Sequence, residues 1–546
     1  MPMKPMTSAQ ALAAGALVSG VKVVTSYPGS PSSETVEVLI ELAERHGVYV
    51  EWSSNEKVAM EIGIGASIAG RRALVCTKSV GLNVMIDPLM ALNLTPVHGG
   101  LVILLGDDPG GYGSQNDQDS RPLAPMLEMP WLEPATPAEG FAMMRAAFAV
   151  SEQYHTAMIV RETRSFTQQV EPIDLPEAPY PQPDLGFLRE PWRFVPVPRN
   201  VVAKHRALHE RLAVLETWAD AAPFNRVVGK GDLGIIGAGF AYRKLLDVLG
   251  DEPRDGLTLL KLGVLFPLPR GLVAGFLAGC REVLVLEENE PYLETQIKAV
   301  AQESDIRTRI RGKATGHTRR EGELFRWQIQ QALTRFVPGF RPAAAYLEQD
   351  EASERPPREN HCAGCRFGVI LDALRAAAER LGQDPVLVGD PGCLAPLGDR
   401  LDAKFAIGSA VGVADGLSRA GIGRRAVALF GDSSFFHTTL PAIGNAVHHG
   451  SDILMVVLDN GATVTSGFQP NPGVPRDALG RPATALDFER IARAIGVHFV
   501  HSVGPDDLDS RLAEVFHQGL THPGLGLIVV RTPCGPASEE SSRPDG

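Results

Sequence analysis

The chain has few cysteines and no long apolar run. Six cysteines in 546 residues are too few for a disulfide scaffold, so we expect a reduced, cytoplasmic protein. No run of about 18 apolar residues is present, which argues against a membrane-spanning helix. The apolar segment at 11–18 follows a single lysine and leads directly into a strand. We therefore interpret it as a packed helix capped by Thr7 or Ser8 rather than as a signal peptide.

An excess of positive charge is also missing. The net charge is −12 at pH 7, which argues against nonspecific binding to nucleic acids. The length of 546 residues is too great for a single hydrophobic core and indicates about three domains. We therefore expect a soluble multidomain protein with neither a nucleic-acid partner nor a membrane partner.

What the sequence contains in abundance is an alternation of short apolar strands with helices. It runs through residues 21–165, returns at 233–336 and appears again from 367 to 530. This alternation is typical of an α/β fold, so we predict three doubly wound parallel-sheet domains. The predicted divisions are a first domain at 1–170, a proline-rich linker and helix at 171–225, a second domain at 226–345 and a third at 346–546.

Residues 426–473 carry the clearest chemical signal. Two apolar runs of strand length, 426–430 and 453–458, flank a predicted helix at 440–449. Such a unit is βαβ with both strands buried, and βαβ units build parallel sheets. Ligands of open α/β sheets bind at the carboxyl ends of the strands, so we expect the functional residues directly after each of these two runs.

Polar residues do follow both strands. Gly431, Asp432 and Ser433 come after the first strand and Asn460 comes after the second, so a carboxylate and an amide oxygen converge at one sheet edge. Mg²⁺ prefers such oxygen ligands, and the backbone carbonyl of Ala462 is a candidate for another position. The glycine lets backbone N–H groups approach phosphates. An ordinary Asp and Asn at two strand ends is the simpler alternative.

Two further polar groups follow strands in the first domain. The segment at 27–34, YPGSPSSE, predicts a turn and a helix start, where Ser30 either helps to cap the helix or contacts a ligand. Glu56 opens the helix after the next strand, where a carboxylate often only complements the helix dipole. Glu61, on the following turn, is the competing candidate for a chemical role.

The third domain offers additional candidates. Small residues recur along the run at 407–416, IGSAVGVADG, which indicates either close helix packing or the approach of Gly408 and Ser409 to a phosphate group. His437, at the end of GDSSFFH, and Gln469, in GFQPNPG, are candidates for contact with a substrate. Helix capping alone would also explain these two polar residues.

Four of the six cysteines are spaced as metal ligands often are. They are a CxxC pair, a residue after the next strand and a residue after the last strand: Cys362, Cys365, Cys393 and Cys534. Four thiolates suit tetrahedral zinc or a [4Fe–4S] cluster, and the residues alone leave both open, together with unligated thiols. Cys76 and Cys280 lie in or beside apolar strands and are interpreted as core residues.

Several of these motifs resemble one enzyme family. Asp432 and Asn460, with 27 residues between them, resemble the thiamine-diphosphate motif, in which glycine stands at the position of Ser433. The runs GDSSFFH, LDNGATVTSGFQPNPG and YPGSPSSE resemble the large subunit of the indolepyruvate:ferredoxin oxidoreductases, a branch of the 2-oxoacid:ferredoxin oxidoreductases. The loop at 107–119 is similar to a signature of the same family, although a solvated acidic loop would have the same composition.

The resemblance implies a thiamine-diphosphate-binding fold. Domain 1–170 would bind the pyrimidine, domain 226–345 would correspond to the C-terminal domain of transketolases, and domain 346–546 would bind the diphosphate. Glu56 would hydrogen-bond the aminopyrimidine and act in catalysis together with His437.

The same resemblance assigns the ligands of three cofactors. The residues that bind thiamine diphosphate would be Ser30, Glu56, Gly408, Ser409, Gly431, Asp432, Ser433, Asn460 and Ala462. The Mg²⁺ ligands would be Asp432, Asn460 and Ala462, and a [4Fe–4S] cluster would be held by Cys362, Cys365, Cys393 and Cys534. Bound thiamine diphosphate would supply the carbanion chemistry.

The implied reaction is oxidative decarboxylation of a 2-oxo acid to an acyl-coenzyme A, with an arylpyruvate such as indolepyruvate favoured. Family members commonly end in a ferredoxin-like extension, whereas the last cysteine here is Cys534. We therefore expect a smaller partner subunit, an external electron carrier such as ferredoxin, and an oligomer. Two alternatives remain: a nonoxidative thiamine-dependent decarboxylase or carboligase, which would not need the cysteines, and a noncatalytic scaffold subunit.

Overall fold

The computed structural model describes residues 3–178, 180–250, 256–355 and 364–534. The chain forms two compact units. The first consists of residues 1–50 and 56–357, and the second consists of residues 51–55 and 358–546.

The first unit contains most of the regular structure. Its strands are β1 (Lys4–Thr7), β2 (Val23–Ser26), β3 (Tyr49–Trp52), β4 (Ala73–Lys78), β5 (Leu101–Asp107), β6 (Trp131–Leu132), β7 (Met158–Thr163), β8 (Val170–Ile173), β9 (Arg226–Gly229), β10 (Leu233–Ala238), β11 (Leu257–Leu262), β12 (Val264–Phe266), β13 (Glu282–Leu286) and β14 (Arg309–Arg311). Its helices are α1 (Ser8–Val18), α2 (Ser32–His46), α3 (Glu56–Ile68), α4 (Ser79–Leu92), α5 (Ala124–Leu127), α6 (Pro137–Tyr154), α7 (Arg164–Thr167), α8 (Pro191–Phe194), α9 (Val201–Ala221), α10 (Gly239–Leu249), α11 (Arg270–Ala278), α12 (Tyr292–Glu303), α13 (Arg326–Phe336) and α14 (Glu351–Glu354).

The larger sheet of this unit has the order β12-β6-β7-β5-β4-β2-β3. Strands β2, β4, β5, β6 and β7 are parallel, and β12 pairs with β6 in the antiparallel direction. The central strand β5 is buried over its whole length, as expected for a parallel sheet covered on both faces. Lys78 lies opposite Gly106, and Asp107 lies opposite Thr163, so strands β4, β5 and β7 end at the same edge.

The second sheet has the order β14-β13-β10-β11-β9, with β9 antiparallel to its neighbour. Apolar residues on one face of this sheet belong to the same core cluster as residues of the larger sheet; Leu260 and Trp131 are members from the two sheets. Those on the other face belong to a separate cluster. The buried Arg121 pairs with Asp119 at 2.7 Å and with Glu287 at 2.9 Å. Burial alone would raise the pKa of Asp119, but the Arg121 guanidinium outweighs it and holds that pKa below its usual value.

The acidic loop at 107–119 is solvated only in part, because its first residues are buried whereas residues 113 and 115–117 are exposed. Asp107 is fully buried and pairs with Arg161 at 2.8 Å. Asp117 accepts hydrogen bonds from Gly110 N–H at 2.7 Å and from Asn289 Nδ2 at 2.6 Å. Both carboxylates anchor the loop to the protein around it, so the solvated-loop alternative fails for the buried Asp107, while Asp117 remains exposed.

The second unit is built on one sheet. Its strands are β15 (Val386–Gly389), β16 (Ala403–Lys404), β17 (Ala426–Gly431), β18 (Ile453–Asp459), β19 (Phe499–Val503) and β20 (Gly526–Arg531). Its helices are α15 (Phe367–Arg380), α16 (Ala410–Arg419), α17 (Asp432–Ser434), α18 (Leu440–His448), α19 (Phe488–Ile495) and α20 (Leu508–Thr521). The strand order is β16-β15-β17-β18-β20-β19, and all neighbours are parallel. Separate apolar clusters cover the two faces.

The predicted α/β class with parallel sheets is confirmed. The cap of the first helix is Thr7, whose side chain accepts from Gln10 N–H at 3.2 Å while Gln10 Oε1 accepts from Thr7 N–H at 3.0 Å. In the described part of the chain, no helix is both long enough and apolar enough to span a membrane. The division into segments at 170, 225 and 345 stays a prediction.

Candidate cofactor-binding site

The candidate site in the second unit is built where β17 and β18 end. These neighbouring parallel strands are in register, with Gly431 opposite Leu458. Both consist almost entirely of buried apolar residues, so the first polar side chains appear together beyond the last apolar positions. Asp432 begins α17 directly after β17, and Asn460 follows β18. The two residues predicted to converge therefore lie at the same edge of the sheet.

Asp432 is buried and held in a fixed orientation. Its Oδ1 accepts from Ser433 N–H at 2.8 Å, and its Oδ2 accepts from Gly461 N–H at 3.0 Å and from Asn471 Nδ2 at 2.9 Å. Burial, reinforced by the neighbouring carboxylate of Asp459, raises the pKa of Asp432 to about 7, while the Asn471 hydrogen bond opposes the rise. A cation beside this carboxylate would favour its charged form, and an anionic oxygen in a dry site suits Mg²⁺.

Asn460 and Ala462 lie in the same turn. Asn460 Oδ1 accepts from Ala462 N–H at 3.3 Å, which bends the chain so that both residues stay beside Asp432 and Gly461. Asn460 and Ala462 are both buried. A carboxylate, an amide oxygen and a backbone carbonyl are the oxygen donors that Mg²⁺ takes, so these residues fit the predicted ion.

Asp390, at the end of β15, braces the next part of the site. It is fully buried, and it accepts from Gly408 N–H at 2.7 Å, from Ala410 N–H at 2.9 Å and from the Ser434 hydroxyl. The first turn of α16 is thereby attached to the sheet edge. Because Asp390 already satisfies the N–H of Gly408, that glycine can offer a ligand close approach but not a hydrogen bond.

Gly408 cannot be replaced without a conflict. Its φ is +79°, and a Cβ there would lie 1.9 Å from Thr438 Oγ1. We expect Gly408→Ala to destabilise this region by about 3 kcal/mol, from left-handed strain and overpacking together. Hydrogen–deuterium exchange of peptides from α16 measures the change.

The matched control is Gly412→Ala inside α16, where a Cβ meets nothing within 4 Å. Alanine there should stabilise the helix by about 0.5–1 kcal/mol and therefore slow its hydrogen–deuterium exchange. Equal exchange rates in the Gly408→Ala and Gly412→Ala proteins would contradict the steric explanation.

Ser409 directly precedes α16. Its Oγ is buried, and no hydrogen-bond partner for it is found among the described residues. Such a hydroxyl can donate a hydrogen bond to an anionic oxygen of a ligand. The N-terminus of α16 also favours negative charge there, because of the helix dipole. This arrangement fits the predicted diphosphate contact of Gly408 and Ser409.

Of the remaining candidates of the second unit, Ser433 and His437 lie on one helical segment, whereas Gln469 is buried outside it. Helix formation begins at Asp432, eight residues earlier than predicted, and residues 435–439 form a wider π-helical turn before α18. Such turns often accompany functional sites. His437 lies in this turn and is buried, with its Nδ1 3.2 Å from Thr438 Oγ1. Gly431 and Ser433 flank Asp432 and are half-buried.

In the first unit, Glu56 and Glu61 differ sharply. Glu56 is buried at the first position of α3, and a Cβ on Gly81 would lie 2.5 Å from its Oε1, so only glycine leaves room for this carboxylate. Glu61 is exposed and pairs with Lys57. Ser30 is half-buried in the turn before α2, where Ser33 Oγ accepts from Gly29 N–H at 2.7 Å.

Comparison with known proteins matches both regions to thiamine diphosphate domains. Residues 14–187 match the family described as pyruvate flavodoxin/ferredoxin oxidoreductase, thiamine diphosphate-binding, and residues 403–530 match the C-terminal TPP binding domain of thiamine pyrophosphate enzymes. The indolepyruvate oxidoreductase subunit IorA of Methanothermobacter marburgensis is 37% identical over 536 residues, covering 96% of this chain and 86% of the relative. That of Pyrococcus abyssi is 36% identical, covering 96% and 84%.

The chain belongs to the family of indolepyruvate oxidoreductase subunit IorA. It is therefore an enzyme subunit, and the two matched domains support the binding of thiamine diphosphate. A more distant relative, the 2-oxoglutarate synthase subunit KorA of Archaeoglobus fulgidus, is 24% identical and covers 55% of this chain and 92% of the relative. A solved 2-oxoglutarate:ferredoxin oxidoreductase from Magnetococcus marinus is 17% identical, with a TM-score of 0.45 over 57% of this chain and 62% of that one.

In this member of the family, one cysteine lies against the candidate site. Asn460 Nδ2 donates to Cys393 Sγ at 3.6 Å. Cys365 is exposed just before α15, Cys534 is half-buried after β20, and Cys362 lies outside the described residues.

The two remaining cysteines behave as core residues. Cys76 and Cys280 are both buried, as predicted. Burial raises the pKa of Cys76 well above its ordinary value and that of Cys280 to about 11, so both thiols stay protonated at neutral pH.

Sequence reasoning missed Asp390, Asp459 and Asn471. A sequence signal was present for each of them: Asp390 and Asp459 stand at the ends of buried strands, and Asn471 lies in the GFQPNPG run. Their roles become visible only through contacts, since Asn471 is 39 residues away from Asp432 in the chain.

Proposed function

We propose that this chain is the large subunit of a thiamine-diphosphate- and Mg²⁺-dependent oxidoreductase that oxidatively decarboxylates 2-oxo acids. Arylpyruvates such as indolepyruvate are the favoured substrates, and the product is an acyl-coenzyme A. Family membership and the two matched thiamine diphosphate domains support the 2-oxo acid chemistry. The names of the relatives favour indolepyruvate.

One observation carries the proposal. The buried Asp432 carboxylate is oriented by Gly461 and Asn471 at a sheet edge, next to the buried Asn460. A buried acid with a raised pKa is costly to keep charged unless a cation or a proton joins it. We infer that this cation is Mg²⁺, held by Asp432, Asn460 and the carbonyl of Ala462.

The other residues have binding and proton-handling roles. Ser409 donates its hydroxyl to the diphosphate, and Gly408 keeps the chain close enough for that contact. Glu56 would hydrogen-bond the aminopyrimidine ring and hold the proton that the ring exchanges. Ser30 and His437 contact the cofactor or the substrate. When bound, thiamine diphosphate supplies the electron sink that allows CO₂ to leave the 2-oxo acid.

Oxidation requires an electron acceptor. We infer a [4Fe–4S] cluster on Cys362, Cys365, Cys393 and Cys534, with a smaller partner subunit and an external carrier such as ferredoxin receiving the electrons. The contact between Asn460 and Cys393 supports this inference, because it brings one cluster ligand against the Mg²⁺ site. An oligomeric assembly is part of the same proposal.

The test is an anaerobic assay of the chain with its partner subunit over a panel of 2-oxo acids, with coenzyme A and a viologen dye. Dye reduction that needs thiamine diphosphate, and is fastest with arylpyruvates, is the expected result. Release of CO₂ and aldehyde without dye reduction would instead indicate the nonoxidative decarboxylase. Failure to bind thiamine diphosphate would leave only the scaffold alternative.

The cluster proposal predicts the effect of Cys365→Ser. Because Cys365 is exposed, the variant should fold normally yet lose most of its iron and its dye-reducing activity. Iron and sulfide analysis of anaerobically purified protein, together with its visible absorbance, gives the measurement. Cys280→Ala, which changes a core thiol, is the control and should keep its iron. Zinc in place of iron in the unmodified chain would refute the cluster.

A further inference from the structure

A group of side chains that could hold a metal ion lies in the first unit. It consists of Glu128, His205 and His209. Glu128 Oε2 is 3.0 Å from His205 Nε2, and Glu128 Oε1 is 2.8 Å from His209 Nε2. All three potential ligand atoms lie within 4.8 Å of one another, and no other such group of three occurs among the described residues.

The fold holds these side chains in place. His205 and His209 are one helical turn apart on α9, so they share a face of that helix. The buried Leu208 and Leu215 pack α9 onto the protein. Glu128 follows α5 and is attached through Glu128 N–H, which donates to Ala124 O at 2.9 Å.

The backbone of Glu128 has a conformation that is uncommon for a glutamate. Its φ is 52°, in the left-handed region that a helix end commonly fills with glycine. A glutamate adopts this conformation at a cost relative to glycine. The side chain of Glu128 is 18% exposed, whereas those of the histidines are 50% and 58% exposed. The least exposed member is thus the acid, and both imidazoles are accessible to solvent.

We propose that Glu128, His205 and His209 bind a divalent transition-metal ion of the zinc class. Two imidazole nitrogens and one carboxylate oxygen are a common zinc ligand set, and a water molecule would complete the tetrahedron on the solvent side. Mg²⁺ and Ca²⁺ are poor fits, because they prefer oxygen ligands. The bound ion joins α9, which follows the proline-rich linker, to the end of α5. This proposal is independent of the proposed function.

The test uses the full-length chain, stripped with a chelator and titrated with Co²⁺ and then Zn²⁺ under anaerobic conditions. Cobalt held by nitrogen and oxygen gives weak visible bands without the strong near-ultraviolet band of thiolate ligation, which separates this site from the cysteines. Zn²⁺ should displace the cobalt and raise the thermal unfolding temperature. The variants are Glu128→Gln and the double variant His205→Ala/His209→Ala.

We expect each variant to weaken binding at this site by more than about tenfold, since loss of even a supporting partner costs metal sites about 10–100-fold in affinity. The matched control is His448→Ala/His449→Ala, which removes another adjacent, exposed histidine pair, with ring centroids 4.7 Å apart. The control should retain the cobalt bands and the zinc-induced shift.

Two results would overturn the proposal. One is an unmodified chain whose only cobalt signal carries the thiolate band, which would mean that the histidines merely hydrogen-bond Glu128. The other is unchanged affinity in both variants. Circular dichroism of the metal-free variants checks that they are folded, and their exposed imidazoles make folding failure unexpected.

Discussion

Replacing Asp432 with asparagine is expected to abolish tight binding of thiamine diphosphate and Mg²⁺ and to lower 2-oxo acid turnover by more than about a hundredfold. The carboxylate is the charged member of the proposed Mg²⁺ ligand set, and loss even of an outer partner commonly costs about 10–100-fold. Asparagine keeps the size of the side chain, and its oxygen can still accept from Gly461 and Asn471, whereas its Nδ2 cannot accept from Ser433 N–H. One lost hydrogen bond costs only about 0.5–1.5 kcal/mol, so a loss of more than about a hundredfold would report mainly on charge. Isothermal titration of the metal-free chain measures binding without the partner subunit.

The control for this variant lies at the opposite end of the same sheet. Asp452 immediately precedes β18, is exposed and pairs with Arg425. Asp452→Asn removes one negative charge from the same unit and should bind thiamine diphosphate as the unmodified chain does. If Asp432→Asn also binds normally, the sheet edge at Asp432 and Asn460 is not the cofactor site.

Replacing Glu56 with glutamine is expected to lower turnover by about 10²–10⁴-fold, the range that positioned acids and bases contribute to proton transfer. Glutamine fits the space that Gly81 leaves open and keeps hydrogen bonding, but it cannot exchange the proton that the aminopyrimidine requires. Cofactor affinity should change much less than turnover. Steady-state kinetics with the partner subunit measure turnover. Isothermal titration, as for the Asp432 variant, measures cofactor affinity.

The neighbouring Glu61 supplies the decisive comparison. It lies on the same helix, is exposed and pairs with Lys57, so Glu61→Gln should leave turnover nearly unchanged. The reverse outcome, with Glu61→Gln inactive and Glu56→Gln active, would transfer the proton-exchanging role to Glu61. Normal activity in both variants would refute a glutamate at the start of α3 as the catalytic acid and base.

Strands were predicted correctly where burial on both faces produces a continuous apolar run. The long central strands β5, β17 and β18 are nearly continuous apolar runs, and such runs are recognisable because both faces of a parallel strand are covered. The short strands β6 and β12 were missed, since two or three residues carry no period. Their pairing depends on how distant segments pack.

The candidate site was likewise predictable only in part. The sequence alone determined that Asp432 and Asn460 follow adjacent buried strands, because parallel strands of a βαβ unit must end at one edge. It also indicated that Glu56 opens a helix. The structure added that Glu56 is buried while Glu61 pairs with Lys57 at the surface.

Only the tertiary structure decided which distant groups meet. Asp390 reaches Gly408 across 18 residues, and Glu128 reaches His209 across 81. Local patterns record the period of a helix or strand and the polarity of its faces. Whether side chains from separate elements meet depends on the angles at which the elements pack and on which charged groups become buried together. The residues next to each side chain in the sequence determine neither.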